Sequence, residues 1–225
     1  MNKILDIYPV IEMSPWRVDE NADLKDNEVY EKFALNIFSN AGIKSIKRLD
    51  KHAYSSIILS DINNEDLSIL IQKELNDADI PENGLEIVDD FEGGLVIKFE
   101  NGEVINHSCC GSVSDYKNWL ELVENKPKEW TEIWIGHPWV YAKVEENKIL
   151  ITDYLDETKA SPKENDFKFE VDFIEFKEKL STAINNLKDL KKRIRTILLN
   201  QENEFANELS ELLIENEEKT TTNTV

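Results

Sequence analysis

The chain has little that would staple, kink or anchor it. Only 2 cysteines occur in 225 residues, and they are neighbours, Cys109 and Cys110. Adjacent cysteines cannot tie distant segments together, and a disulfide between them closes a strained ring. A disulfide framework is therefore excluded, which suits a reducing compartment. The 7 glycines and 6 prolines are too few for collagen-like or Pro/Gly-rich disordered chains. No run approaches the roughly 18 consecutive apolar residues of a membrane-spanning helix. The opening MNKILDIYPVIEMSP is broken by Asp6 and Pro9 before a signal-peptide core can form. A cytoplasmic protein with no membrane partner is expected. Positive charge is scarce as well: 26 Lys and Arg face 46 Asp and Glu, a net charge of −20. Nucleic-acid affinity comes largely from cations that displace phosphate counterions, so no nucleic-acid partner is expected. A basic protein partner is instead favoured by electrostatic steering.

What is present is enough to fold. Hydrophobic residues make up 40% of the chain, with 9 Phe, 6 Tyr and 5 Trp, and a chain of this size buries roughly 70% of its unfolded surface. Ile4 to Ile11 reads as a strand. Val29, Tyr30, Phe33, Ala34, Ile37 and Phe38 recur at helical spacing, with Asp26 or Asn27 as cap and Gly42 as stop. Strands follow at Ser45 to Leu49 and Tyr54 to Leu59. A second helix starts at Asn63 or Asn64, carries Leu67, Leu70, Ile71 and Leu75 on one face, and ends at Pro81. From Leu85 the period changes to two: Leu85 and Ile87, then Leu95, Ile97 and Phe99, then Asn101-Gly102 before Val104. An Asn-Gly pair between alternating apolar residues predicts a hairpin with a type I′ turn.

Ser112 or Ser114 caps a third helix bearing Tyr116, Trp119, Leu120 and Val123, closed by Pro127. Strands follow at Glu132 to Ile135, Trp139 to Val144 and Ile149 to Tyr154. Helices and antiparallel strands mix without a repeated strand-helix-strand rhythm, so the fold class is α+β, with a mainly antiparallel sheet and flanking helices. Residues 1–155 form this domain and 156–166 a linker. Residues 167–218 form a long helix or a helical hairpin bending near Asn200-Gln201, and 219–225 a disordered tail. The helical stripe from Phe173 through Leu212 packs on the core or pairs two copies as a homodimer through residues 170–216. From residue 170 onward there are 8 basic and 12 acidic residues, net −4, which leaves 18 against 34, net −16, in residues 1–169.

The window 101–141 holds four of the five tryptophans, both cysteines and two of the three histidines. Trp and Tyr recur at interaction hot spots, so WIGHPWVY, residues 134–141, reads as a binding surface built from Trp134, His137, Trp139 and Tyr141. Alternatively Trp119, Trp130 and Trp134 fill the core between the third helix and the sheet. Cys109 or Cys110, with His107 or His137 as base and Asp115 orienting the imidazole, would make a thiol enzyme. Adjacent cysteines do not match the paired spacing of a zinc site, and no metal is expected. Asp89, Asp90 and Glu92 lie before Gly93-Gly94 without a D-x-D-x-D-G loop and read as a solvated turn. The chain contains no G-x-x-x-x-G-K-[ST], G-x-G-x-x-G, G-x-S-x-G or H-E-x-x-H. No cofactor is expected.

Cys109-Cys110-Gly111, Asn118-Trp119, and Trp130 with Ile133-Trp134-Ile135-Gly136-His137-Pro138-Trp139 form a pattern. Through it the segment 109–154 resembles a group of uncharacterised bacterial proteins that share a Cys-Cys-Gly or Asp-Cys-Cys start, an Asn-Trp on the next helix and a Trp-x-x-(Leu/Ile)-Trp-Ile-Gly-His-Pro-Trp stretch before a β-hairpin. More loosely, the chain is similar to the small acidic α+β immunity proteins of bacterial polymorphic toxins, including the SMI1/KNR4-like group. The negative charge, the tryptophan-rich segment 134–141 and the absence of catalytic motifs, together with that resemblance, lead to the expectation of a non-enzymatic interaction protein, an immunity protein that neutralises a basic toxin, with Trp139 and Tyr141 anchoring the complex.

Overall fold

The computed structural model describes residues 1–12, 39–44, 56–78, 80, 84–155 and 162–215. Among these residues the elements run β1 (Ile4–Glu12), β2 (Ser56–Ile58), α1 (Asn64–Ala78), β3 (Gly93–Phe99), β4 (Val104–Ile105), α2 (Tyr116–Asn125), β5 (Thr131–Ile133), β6 (Val140–Glu145), β7 (Lys148–Ile151), β8 (Phe169–Asp172), α3 (Phe173–Asn200) and α4 (Ala206–Glu215). The strands form two antiparallel four-stranded sheets, in the orders β2-β1-β3-β4 and β5-β6-β7-β8. The fold is α+β with a long helix near its C-terminal end, as the hydrophobic periods predict. No described helix is long and apolar enough to cross a membrane. The helix expected at 29–38, the strand at 45–49, the ends of the helix at Pro81 and of the linker at 156–161, and the tail at 219–225 lie outside the described residues.

The chain divides into two compact units: Met1–Pro9 with Gly93–Asn185, and Val10–Glu92 with Asn186–Val225. This differs from the division into 1–155 and 167–218 read from the sequence. Two elements, β1 and α3, each contribute residues to both units, a sharing that no local composition shift announces.

In the first unit, β6 pairs with β7 through Ala142↔Ile151 and Val144↔Ile149, and β7 with β8 through Ile149↔Val171 and Ile151↔Phe169. Phe99 stacks on Phe169 with ring centroids 4.6 Å apart. Trp119 of α2 lies 5.6 Å from Phe176 of α3. Helix α2 is preceded by a capping box in which the Asp115 carboxylate accepts the Ser112 N–H at 2.8 Å. It ends where Lys126 turns left-handed just before Pro127, because proline cannot continue a helix.

In the second unit, α1 is capped by Asn63, whose side-chain oxygen accepts the Asp66 N–H at 2.8 Å. The buried Asp66 carboxylate in turn accepts the Lys44 N–H at 3.0 Å and the Asn63 amide at 3.1 Å. Leu187, Leu190, Ile194 and Leu198 of α3 and Leu209, Leu213 and Ile214 of α4 are buried. Lys191 bridges to Glu211 at 2.7 Å and to Glu215 at 3.2 Å, fixing the bend that the sequence places at Asn200-Gln201.

Several expectations are corrected. Leu85–Ile87 is a 3₁₀ turn opened by Gly84 at φ +81°, and Ile87 is 46% exposed, since alternation without a strand partner makes no sheet. The β3–β4 hairpin exists, but only Gly102 of the Asn-Gly pair takes a positive φ. Gly102 N–H bonds Phe99 O and Phe99 N–H bonds Glu103 O, both at 3.0 Å, the pattern of a type I turn followed by a bulge rather than type I′. Residues 169–172, read as helix, form β8: Phe169 and Val171 are buried while Glu170 and Asp172 are half-buried. Asp172 then caps α3 through the N–H groups of Ile174 and Glu175 at 2.9 Å. On α2 the inward face uses Leu122 in place of Leu120. Asp90 is buried, not part of a solvated run. Of the stripe invoked for a homodimer through 170–216, Phe173, Phe176, Leu180, Ala183, Leu187, Leu190, Ile194, Leu198 and Leu209 are buried within the chain, whereas Phe205 is 38% exposed.

Candidate functional site

Two segments of the first unit are laced together by backbone. The loop after β4 runs through His107, Ser108, Cys109, Cys110 and Gly111, and it crosses the Ile135-Gly136-His137 stretch that precedes β6. Ser108 N–H bonds Ile135 O at 2.7 Å, and His137 N–H bonds Cys109 O at 2.8 Å. The Cys109 thiol donates to His137 O at 2.8 Å. The approach is so close that only glycine fits at 136. Its φ is +93°, and a Cβ there would overlap the Ser108 carbonyl and lie 2.5 Å from Cys109 O. At Gly111 a Cβ would lie 2.8 Å from Ile135 O. The Cys-Cys-Gly and Ile-Gly-His pieces of the motif are thus two halves of one backbone crossing. The His137–Pro138 peptide is cis.

Aromatic side chains rise from this crossing. Trp134, half-buried, stacks on Trp139 with centroids 5.9 Å apart and planes at 28°. The exposed His137 ring meets Trp139 edge-on at 5.3 Å. Asn118 of α2 donates to Trp134 O at 3.0 Å, so the Asn of the Asn-Trp pair holds the tryptophan segment while Trp119 fills the core. Trp139 is only 7% exposed, because its backbone pairs with Leu155 and draws the ring inward. It supports Trp134 and His137 and does not stand out as the anchor expected from sequence. Tyr141 is half-buried on β6, opposite Glu132. Its backbone is bonded to Thr152.

The thiol-enzyme constellation is only partly assembled. Cys109 and His137 are neighbours, and both thiols are exposed. His107, however, is buried against Gly94, where a Cβ would sit 2.9 Å from the His107 Cβ. The Asp115 carboxylate serves the α2 capping box. Among the described residues no group of three or more His, Cys, Asp or Glu is arranged to hold a metal ion.

Tyr154 was missed from sequence. Its hydroxyl accepts the Asn106 N–H at 2.6 Å and donates to Asn106 O at 3.1 Å, pinning the residue before His107. Burial pushes the phenol up from its ordinary value, with the Asn106 bond opposing and the Asp153 charge adding to the rise. The only signal was one buried-type aromatic at the end of ILITDY. On the β5–β6 hairpin and the segments flanking it, Glu129, Glu132, Glu145 and Glu146 are exposed. The one lysine on β6, Lys143, is buried over the Trp130 ring at 4.9 Å and paired with Glu145.

No family model, curated protein or solved structure matches this chain significantly. The geometry of the site is therefore what a functional reading rests on.

Proposed function

We propose that this chain is a non-enzymatic, cytoplasmic protein-interaction module, an immunity protein that neutralises a basic toxin through the surface around Trp134 and His137. The observation that carries the reading is an aromatic pair held rigidly at the surface. Trp134 and His137 stay accessible while Trp139, the Cys109–His137 bridge and Asn118 lock them from behind. Rigid aromatics lose little conformational entropy on docking, which is why they dominate interface energetics. The exposed Glu129, Glu132, Glu145 and Glu146 belong to a unit, Met1–Pro9 with Gly93–Asn185, that carries 12 basic and 19 acidic residues, net −7, and this negative charge would speed encounter with a cationic partner.

The alternative of a Cys/His enzyme has less support. A carbonyl oxygen accepts a hydrogen bond from a thiol but repels a thiolate, so the Cys109–His137 contact works against a nucleophile. Of the other three candidate groups, Cys110, His107 and Asp115, the last two have structural roles.

Co-expression tests the proposal. The chain is expected to rescue growth of cells producing a basic toxin encoded beside it, and Trp134→Ala to abolish the rescue at unchanged protein level. Absence of any neighbouring toxin, or rescue that ignores Trp134, would sink the reading.

A further inference from the structure

The two thiols remain unexplained by the contact surface. Both are exposed, so neither fills the core, and for a cysteine that is not packing a core, reactivity is the property that distinguishes it. They are also consecutive. Adjacent Cα atoms are about 3.8 Å apart across a trans peptide, below the about 4.4–6.8 Å of ordinary disulfides. A bond between them is strained, and strained, exposed disulfides are the readily reduced, reversible ones. One of the pair, Cys109, carries a structural load as well: its thiol hydrogen bonds His137 O at 2.8 Å and ties the loop to the tryptophan segment. Cys110, at φ +63°, stands next in the chain as the free partner.

We propose that Cys109-Cys110 is a reversible oxidation site whose oxidant is a low-molecular-weight disulfide of the glutathione class. Cys110 loses its proton and attacks one sulfur of the oxidant; a mixed disulfide forms, the oxidant's S–S bond breaks, and one thiol leaves. Cys109 then gives up its hydrogen bond to His137 O, the contact that opposes its thiolate, loses its proton and attacks the adjacent Cys110 sulfur. The intramolecular S–S bond forms and a second thiol leaves. In sum two protein thiols and one disulfide become one protein disulfide and two small thiols. Loss of the Cys109 thiol hydrogen removes its bond to His137 O and frees the Trp134–Trp139 segment from one of its ties. This chemistry belongs to the purified chain alone and does not depend on the partner reading.

The test incubates the folded full chain with glutathione disulfide, followed by intact-mass analysis and thiol titration. The expected product has lost two hydrogens and both titratable thiols, carries no adduct, shows altered tryptophan fluorescence, and returns to the starting state with dithiothreitol. Cys109→Ser is expected to stop at a persistent mixed disulfide on Cys110. The idea is overturned if the folded chain keeps both thiols while the urea-unfolded chain reacts. It is equally overturned if the wild type accumulates only the adduct, or a disulfide between two chains.

Discussion

The backbone crossing at Gly136 makes a quantitative prediction, because Gly102 provides an internal reference. Both glycines take nearly the same φ, +93° and +87°. Replacing either by alanine imposes a similar left-handed cost, about 1–2 kcal/mol, and removes similar entropy from the unfolded chain. They differ in what the new methyl meets. At Gly102 nothing lies within 4 Å; at Gly136 the methyl overlaps Ser108 O and sits 2.5 Å from Cys109 O. Those carbonyls are held by their own hydrogen bonds and cannot retreat freely, so forced shifts should add about 1–3 kcal/mol. Gly136→Ala is then expected to cost about 2 kcal/mol more than Gly102→Ala. Urea unfolding followed by tryptophan fluorescence reads this difference as a shift in midpoint at constant slope. Equal midpoints for the two variants would refute the crossing as described.

Three further outcomes follow from the packing around Trp119, Tyr154 and Asp115. Trp119, 1% exposed, is expected to cost about 3–5 kcal/mol on truncation to alanine, whereas Trp134→Ala should lower the urea midpoint far less. Tyr154→Phe removes both hydroxyl bonds to Asn106 and should destabilise by about 1–3 kcal/mol. Because the folded phenol titrates above its unfolded value, its contribution is fully present below the unfolded pKa and is lost as pH rises through the folded one; a wild-type stability curve that does not steepen relative to Tyr154→Phe above pH ~10 would contradict this. Asp115→Ala breaks the capping box before α2 at a cost of about 1 kcal/mol, measurable as a lowered melting temperature with no change in thiol reactivity.

The fold class was legible because long-range order followed local period. Leu67, Leu70 and Ile71, the 101–102 turn, and the helix bend near 200 each sit where spacing placed them. The misses share a cause. Phe169-Glu170-Val171-Asp172 alternates as a strand, yet it abuts Phe173 and Phe176 so closely that a helical period absorbs it. Leu85–Ile87 alternates but has no partner strand. At the site, two of the residues singled out from sequence are placed differently from expectation. Trp139 was expected outside and lies inside, because pairing with Leu155, 16 positions away, decides its burial. Asp115 was expected beside a histidine and caps a helix. Tyr154 gave no spacing signal, since its partner, the Asn106 backbone, is distant in sequence.

The central claim is that Trp134 and His137 form the contact face for a basic protein. Calorimetric titration with a purified basic protein encoded beside the chain tests it most directly, with Ile174→Ala as control, since Ile174 is an apolar residue 55% exposed on a separate element, α3. Trp134→Ala is expected to lose about 2 kcal/mol, roughly 30-fold in affinity, and Ile174→Ala to bind like the wild type. Equal binding by all three proteins, or no binding by the wild type, would contradict it.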